Sequence, residues 1–273
     1  MRHEDIDAGL ELCRAAGWNQ TRRDWERFLA ATPEGARTAR LDGRVIGTAA
    51  TIRYGDAFAW IGMVLVDPRH RGRGVGTRLF DAALALLADV PAARLDATPA
   101  GRPLYLKQGF EEEYRIHRMQ RASAVGDAGY SPGVRPLTAL DLSSVAEFDA
   151  HAFGATRYDM LEWMLGGAPD LACVAPGSAG IDGFAMGRRG HLFDHIGPVV
   201  ARDAATAQAL AGYAISRATR SVVVDATPQV PSWRAWLEAM GFVEQRELIR
   251  MTRGAPPAVR LEWQFAILGP EFG

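Results

Sequence analysis

Residues 60–79 read WIGMVLVDPRHRGRGVGTRL and carry three successive structural signals. The apolar start predicts a buried strand, the Asp-Pro pair predicts a turn, and the residues after Gly76 follow a helical pattern. Glycines between strand and helix let the backbone come close to a ligand, and a helix N-terminus favours negative charge. The stretch therefore predicts a phosphate-binding turn, to which Arg71 and Arg73 can add bidentate contacts.

Two common nucleotide-binding motifs do not fit this turn. A P-loop needs four residues between its glycines and then Lys-Ser or Lys-Thr, whereas Gly76 is followed by threonine and arginine. A dinucleotide fingerprint needs G-x-G-x-x-G, and counting from Gly72 puts Thr77 where the last glycine belongs. The form that fits is Arg-x-x-Gly-x-Gly, which begins at Arg71 and includes Gly74. An ordinary strand–turn–helix joint in an arginine-rich chain is the other explanation of the motif.

Composition bounds the class of protein. The 273 residues fit two domains, and 48% apolar residues suffice for globular cores. A net charge of −1 offers no surface for nucleic acid or anionic lipid, and no signal peptide or membrane-length apolar run is seen. We therefore expect a cytoplasmic protein that binds neither nucleic acid nor membrane, with Cys13 and Cys173 as free buried thiols. The histidines lack metal-ligand spacing, so no metal is expected.

Three short motifs recur in the same order along the chain, at offsets between 129 and 135 residues. The pairs are Ile-Gly-x-Val at 61–64 and 196–199, Asp-Ala-Thr-Pro at 96–99 and 225–228, and Gly-Phe at 109–110 and 241–242. Ordered recurrence indicates two structural copies. The Gly/Pro/Ser-rich residues 122–136 predict a linker between copy one, residues 1–121, and copy two, residues 137–273.

Copy one has a clear predicted order of elements. Helical spacing of apolar residues predicts helices over 5–16 and 21–31, and alternation predicts two strands around the tight turn Asp42-Gly43. The other predicted elements are strands 57–66, 93–97 and 110–119 and helices 76–88 and 103–108. This order predicts an α/β fold with a mixed, twisted sheet and helices on both faces.

A second motif follows the strand at 93–97. Leu104 and Tyr105 begin the pattern Leu-Tyr-x-x-x-Gly-Phe, which ends at Phe110. Together with the Arg-x-x-Gly-x-Gly turn, this pattern resembles the motifs of the GNAT acyl-CoA N-acyltransferases across all of copy one. Thr98 departs from the family, because an asparagine usually stands there. The resemblance implies an α/β (α+β mixed sheet) fold of two tandem GNAT-like domains, each a twisted mixed sheet flanked by helices on both faces.

The resemblance also implies where acetyl-CoA, the co-substrate, would bind. Backbone groups of Val64, Leu65 and Val66 would hold the pantetheine arm and polarise the thioester carbonyl, and Thr98 would add one hydrogen bond. The pyrophosphate would bind the turn and the helix start. The residues concerned are Arg71, Gly72, Arg73, Gly74, Val75, Gly76 and Thr77.

Tyr105 would protonate the leaving thiolate, because a phenol is protonated at neutral pH and can act as a general acid. A packing role is the alternative for this tyrosine. The general base is left open between a water chain and several carboxylates. Those carboxylates are Asp56, Asp96, Glu111 and Glu112. A structural role is favoured for Asp96, since Asp225 repeats it in copy two.

The acceptor amine would bind near the loop between the first two helices, where Trp18 and Asn19 are predicted to line the pocket. In copy two, Arg157 could bind a substrate carboxylate. Further candidates there are Arg188, Arg189, His191 and His195, each with a solvated or core role as the alternative. Copy two lacks glycines at 201–206, and a leucine replaces the tyrosine, so one acyl-CoA site per chain is predicted.

The main hypothesis is an N-acetyltransferase that moves acetyl to the amine of a small molecule by direct attack in a ternary complex. The alternative is a non-catalytic acyl-CoA sensor or regulatory protein with copy two as its interaction surface. Protein acetylation is a weaker option, because the near-neutral charge gives no steering for a basic tail. We expect a monomer or homodimer, with the apolar run 261–268 packed on the body or in a dimer.

Overall fold

The structure is a computed structural model that describes residues 1–122, 133–178 and 180–273. Most of the predicted linker at 122–136 lies outside the described residues. The helices are α1 (Ile6–Ala15), α2 (Arg22–Ala31), α3 (Val75–Ala85), α4 (Arg102–Lys107), α5 (Leu142–Phe153), α6 (Tyr158–Gly167), α7 (Ala204–Ser216) and α8 (Pro231–Ala239). The strands are β1 (Arg37–Leu41), β2 (Arg44–Tyr54), β3 (Phe58–Val66), β4 (Ala92–Ala97), β5 (Glu111–Arg121), β6 (Arg135–Pro136), β7 (Cys173–Gly177), β8 (Gly180–Arg189), β9 (Asp194–Ala201), β10 (Val222–Ala226), β11 (Val243–Gly254) and β12 (Gln264–Ala266).

The predicted elements of copy one are confirmed, with boundaries that shift by a few residues. Asp42 and Gly43 both have left-handed φ angles, 48° and 78°, as a two-residue hairpin turn requires. The helix after the phosphate turn, α3, ends at Ala85, three residues before the predicted end. Cys13 and Cys173 are buried and unpaired, as expected.

Alternating side chains of β3 face two different cores. Phe58 and Trp60 lie in the core that α1 and α2 cover, whereas Ala59 and Ile61 lie in the core under α3. The two-residue period of a strand produces this alternation. The mixed sheet therefore has helices on both faces, as predicted. The first core also contains buried residues of α5 and α6, so it joins the two copies.

The strands form one continuous sheet in the order β1-β2-β3-β4-β11-β5-β10-β12-β9-β8-β7-β6. β11 of copy two pairs antiparallel with β4 of copy one, and β5 of copy one pairs antiparallel with β10 of copy two. β5 and β11 also pair with each other. The two copies therefore exchange their last long strands. The repeats alone did not predict this exchange, because it leaves the order of motifs along the chain unchanged.

Two buried ion pairs fasten the exchanged strands. Arg250 of β11 donates to both carboxylate oxygens of Asp96 in β4, at 2.6 and 3.0 Å. Arg118 of β5 donates to both oxygens of Asp225 in β10, at 2.7 Å each. None of the four side chains is more than 8% exposed. Because the two aspartates are equivalent in the repeat, each copy holds the other's strand through the same contact.

None of the described helices is both long enough and apolar enough to cross a membrane.

Replacing Arg250 by methionine should destabilise the protein strongly, because the Asp96 carboxylate would stay buried without a partner. We expect a loss of about 3–5 kcal/mol in the free energy of unfolding, measured by urea denaturation. The double change Asp96→Leu and Arg250→Met removes both charges and should recover most of that loss. The control is Arg115→Met, at a surface pair with Glu247, which should cost at most about 1 kcal/mol. An Arg250→Met protein of wild-type stability would contradict the role of the pair.

Candidate active site

A cavity of about 790 Å³ extends from the turn after β3 into copy two. The turn and the start of α3 line one end, and β3 and β4 line the middle. The α1–α2 loop, residues of β8, β9 and β11, and the segment after β12 line the other end. The predicted site residues in the lining are Trp18, Asn19, Val64, Leu65, Val66, Arg71, Gly72, Gly74, Val75, Gly76, Thr77, Thr98 and Tyr105. The cavity therefore brings most of the predicted donor-side residues together.

β3 separates from β4 in the middle of the cavity. The described pairing of these parallel strands ends at Trp60 and Arg94. A bulge in β3 follows, where Met63 has a φ of 55° and its carbonyl accepts a hydrogen bond from the Thr48 hydroxyl at 2.9 Å. Because the strands then diverge, backbone groups of residues 64–66 that face β4 have no strand partner in the described chain. An extended ligand can bind these groups as a further strand would.

The turn after β3 has the geometry of an anion site. Gly72 and Gly74 have φ angles of 74° and 78°, in the left-handed region that glycine adopts without strain. α3 begins at Val75, and the Arg78 N–H donates to the Gly74 carbonyl in the first turn. The N–H groups of residues 75–77 precede that bond, so they lack helical acceptors and are available to a phosphate.

The two arginines of the turn differ in position. Arg71 lines the cavity, and its Nε donates to the Val66 carbonyl at 3.1 Å. That bond fixes the guanidinium while its terminal nitrogens stay available to an anion. Arg73 is exposed and lies outside the described lining. Arg71 therefore fits the predicted phosphate contact better than Arg73.

Tyr105 lies on α4 with its ring against Phe80, at 4.8 Å between ring centroids. Burial raises the pKa of Tyr105 to about 12, and its hydroxyl has no hydrogen-bond partner among the described residues. The phenol is therefore protonated at neutral pH and available to a ligand in the cavity. Thr98, which follows β4, also lines the cavity, and its Oγ1 accepts a hydrogen bond from the Gly101 N–H at 3.2 Å.

The loop between α1 and α2 closes the far end of the cavity. Trp18 lines it, as predicted. The Asn19 side chain forms hydrogen bonds with the backbone of the loop before β9. Its Nδ2 donates to the Phe193 carbonyl at 3.0 Å, and its Oδ1 accepts from the Leu192 N–H at 2.7 Å. Asn19 therefore joins the two copies, and both polar atoms of its amide already have partners in the protein.

Arg157, the predicted carboxylate-binding residue, already binds a carboxylate of the protein itself. Its guanidinium is buried against Asp149, with bonds of 2.7 and 2.9 Å, and also donates to the Gly273 carbonyl at 2.9 Å. The residue does not line the described cavity. Arg157 therefore ties α5 and α6 to the last described residue, a packing role that a local sequence pattern does not reveal.

Of the other copy-two candidates, Arg188 and His195 line the cavity, whereas Arg189 and His191 are absent from its described lining. His195 Nε2 lies 3.0 Å from an oxygen of Asp225. Burial alone would raise the pKa of Asp225, but the charge of Arg118 and the hydrogen bonds with Arg118 and His195 outweigh burial and hold the pKa well below its usual value. His195 is thus part of the network that fastens β5.

Arg188 lies between two carboxylates, Asp24 of α2 and Glu271 of the C-terminal segment. Gln20 Nε2 donates to Glu271 Oε1 at 2.8 Å. Burial would raise the pKa of Glu271, but the charge of Arg188 and the bond from Gln20 outweigh it, so the pKa is lowered. Glu271 is therefore ionised at neutral pH and brings a negative charge to the cavity.

Comparison with known families agrees with this geometry. The model described as the acetyltransferase (GNAT) family matches residues 7–110, and the model described as an acetyltransferase (GNAT) domain matches residues 145–266. The chain belongs to the GNAT family, as a tandem acyl-CoA N-acyltransferase. GNAT acetyltransferases in general use acetyl-CoA, and the predicted class of enzyme is confirmed.

Three relatives of this tandem GNAT enzyme extend over most of its length. Holothin acyltransferase of Pseudoalteromonas sp. is 28% identical over 255 residues, which cover 90% of this chain and 84% of the relative. A crystal structure from Pyrococcus horikoshii, assigned to the acetyltransferases, has a TM-score of 0.83 at 24% identity and covers 100% of this chain and 94% of its own. A tandem GNAT protein from the clavulanic acid biosynthesis pathway has a TM-score of 0.64 at 17% identity, covering 93% and 96% of the two chains. The two structures support the tandem GNAT fold.

In copy two of this GNAT enzyme, the equivalent cleft is filled by the chain itself. β9 and β10 pair in parallel over residues 194–195 and 222–223, as β3 and β4 do at their start. β12 then inserts between them and pairs with both, so the C-terminal run packs on the body. At the start of α7, the Asp203 carboxylate accepts the Thr206 N–H at 2.8 Å. In the described part of copy two, β12 therefore occupies the cleft, and the Asp203 carboxylate at the start of α7 disfavours a phosphate there.

None of the four carboxylates considered as bases is free in this cavity. Asp56, Glu111 and Glu112 are exposed and lie outside the described lining. Asp96 lines the cavity, but Arg250 donates to both of its oxygens. This contact supports the structural role favoured for Asp96.

Three charged residues in the lining were not predicted, and one of them, Arg118, is described above. Glu271 comes from the C-terminal segment, and Arg246 comes from the exchanged strand β11. No motif marks either residue, since both reach the cavity through strand exchange or through the path of the chain after β12.

One group of described side chains approaches the spacing of a metal site. It consists of His117, Glu244 and Glu247. Arg234 pairs with Glu244 at 3.0 Å and lies 3.3 Å from His117 Nδ1. A guanidinium thus already binds two of these groups, and none of them lines the cavity.

Gly74→Ala should weaken binding of acetyl-CoA, because alanine at φ 78° distorts the turn and costs about 1–3 kcal/mol of strain. We expect the Kd, measured by isothermal titration calorimetry, to rise roughly tenfold. Gly55→Ala is the matched control, since Gly55 also has a left-handed φ, 58°, in a turn outside the cavity lining. An equal loss of affinity in both variants would contradict the assignment of the turn.

The same titration should give one acetyl-CoA site per chain, because β12 fills the second cleft. Gly74→Ala should weaken that single site, and no second heat signal should remain. A stoichiometry of two would show that β12 leaves copy two during binding.

Proposed function

We propose that the protein transfers an acetyl group from acetyl-CoA to the amine of a small molecule, by direct attack in a ternary complex. The observation that carries the proposal is a shared cavity. The phosphate turn, the diverging backbone of β3 and the protonated Tyr105 line the same space as the acceptor-side residues.

The donor would lie along β3. Its pyrophosphate would bind the start of α3, and its pantetheine arm would hydrogen-bond the free backbone groups of residues 64–66. A backbone N–H at the bulge would stabilise the oxyanion that forms when the amine attacks the thioester. As the C–S bond breaks, Tyr105 would give its proton to the sulfur, which becomes basic only at that stage, while the attacking nitrogen would lose its proton to water in the cavity, from which the phenol is reprotonated.

The shape of the far end favours a small acceptor. Asn19 holds the loop at residues 190–193 across the cavity, and the segment after β12 packs against Gly62, where an added Cβ would lie 2.8 Å from the Glu271 carbonyl oxygen. A chamber covered by two segments fits a small molecule better than the surface of a folded protein. The relative's name makes holothin one acceptor to test.

Tyr105→Phe should lower kcat roughly tenfold or more, because the variant keeps the ring and loses the proton donor. The Kd for acetyl-CoA should stay near the wild-type value. Thiol release from acetyl-CoA is measured against a panel of amines, amino acids and aminoglycosides, with holothin included. Tyr213→Phe is the control, since Tyr213 lies on α7 and outside the cavity lining.

Wild-type activity should also persist at alkaline pH. The pKa of Tyr105 is raised to about 12, so the acid is lost only as the pH approaches that value. Unchanged turnover in Tyr105→Phe would remove the acid role. Tight acetyl-CoA binding without turnover on the whole panel would favour the sensor over the enzyme.

A further inference from the structure

We infer that the acceptor is a zwitterion of the amino-acid type, whose ammonium group lies at Glu271 and whose carboxylate lies at Arg246. This inference rests on the proposed function, since it names the substrate class of the same site. Two groups in the acceptor half of the cavity carry it, and they have opposite charges.

Arg246 is half-buried and lines the cavity, whereas Arg27, whose Nε also lacks a partner among the described residues, lies outside the lining. The Arg246 Nε is buried without a partner, and none of the Arg246 nitrogens forms an ion pair or hydrogen bond with the described residues. Five other buried arginines each have a carboxylate partner: Arg94, Arg118, Arg157, Arg188 and Arg250. A half-buried guanidinium without an anion is costly, so the missing partner needs an explanation. A carboxylate supplied by the ligand provides one.

The position of Arg246 is set by the exchanged strand. β11 has an irregular register between Glu244 and Arg246, and Arg246 then pairs with Arg118 of β5. Bulges often redirect a side chain beside an active site. Arg118 is neutralised by Asp225 at 2.7 Å, and both Arg118 and Arg246 line the cavity. Arg246 therefore contributes a positive charge to the cavity that has no direct ion-pair partner among the described residues, although the Asp225 and Glu271 carboxylates act on it from a distance.

The acceptor half of the cavity also carries a negative charge, from the Glu271 carboxylate. Arg188 lies between the carboxylates of Asp24 and Glu271, so this triad has a net charge of −1. Glu271 Oε1 accepts the bonds from Gln20 and Arg188, whereas Oε2 accepts none from any other described side chain, and the carboxylate is also stabilised by the Glu271 backbone N–H. That second oxygen is an available acceptor for the N–H groups of an ammonium ion.

The negatively charged residue, Glu271, also lies beside the donor side of the cavity. The Glu271 backbone packs on Gly62, where an added Cβ would lie 2.8 Å from the carbonyl oxygen and 3.1 Å from the Cα of Glu271. Gly62 directly precedes the bulge at Met63. An amine held by Glu271 would therefore lie beside the proposed thioester position, and a carboxylate on the same molecule would extend toward β11.

Charge balance favours a carboxylate over a phosphate as the anionic group. The ligand's single negative charge would meet the single unpaired guanidinium of Arg246, and its positive charge would meet the excess carboxylate of the triad. A phosphate dianion would bring a second negative charge, while the nearby Arg118 and Arg188 are already neutralised. The opposite charges of Arg246 and of the triad that contains Glu271 thus match those of a zwitterion.

The test measures binding and turnover of common L-amino acids, each beside its carboxamide, which lacks the negative charge. Binding is measured by calorimetry on protein saturated with CoA, so that it does not depend on turnover. We expect at least one acid to bind and react roughly tenfold better than its carboxamide. Arg246→Gln should abolish this preference, and Arg246→Lys should keep part of it.

Further variants separate the two ends of the ligand. Glu271→Gln should weaken an acid and its carboxamide by the same factor, since both carry the amine. Arg115→Gln is the control, because Arg115 is exposed on β5 and outside the cavity lining. Comparing ratios between wild type and variant cancels the difference in amine basicity between acid and carboxamide.

The outcomes distinguish this inference from the proposed function. Acid-selective binding without thiol release supports the zwitterion and overturns the enzyme. Thiol release only from amines that lack a carboxylate supports the enzyme and overturns the zwitterion. Equal binding of acids and carboxamides, or no binding of any amino acid, also overturns the zwitterion. A preference for glucosamine 6-phosphate over glucosamine, lost in Arg246→Gln and not matched by any carboxylate, assigns Arg246 to phosphate and also overturns the inference.

Discussion

The reciprocal aspartate–arginine contact is the constraint on which the rest of the structure depends. Asp96 holds Arg250, and Asp225 holds Arg118, so each copy keeps the other's last long strand in its sheet. A shift of one residue in either strand would turn its arginine to the opposite face and leave buried charges unpaired. The register of the exchanged strands is therefore fixed, and neither half can complete its sheet alone.

This exchange also divides the cavity into two parts of different origin. The donor side is built from consecutive elements of copy one, namely β3, the turn, α3 and α4. The acceptor side combines the α1–α2 loop with β8, β9, β11 and the C-terminal segment. The acceptor side can vary in charge and shape through copy two while the backbone contacts of the donor side are kept.

Local patterns predicted much of the fold and the donor side, because the responsible residues are close together in sequence. The alternation in β3, the glycines at 72 and 74 and the position of Tyr105 all follow from short motifs. The repeat showed that there were two copies, but pairing between distant strands leaves no periodic signal, so the exchange was missed. The partner of Arg157 was not predicted for the same reason, since Arg157 and Asp149 meet only when their helices pack together.

The C-terminal segment is part of both copies. β12 occupies the cleft of copy two, and a few residues later the same chain brings Glu271 to the cavity of copy one. Introducing glycines at 201–206 would not create a second donor site, because β12 would still occupy the cleft. Removing β12 and the residues after it would remove part of the lining of the first site, including the charge of Glu271. The C-terminal segment thus serves both copies at once, so a change in its path would alter the sheet of copy two and the cavity of copy one together.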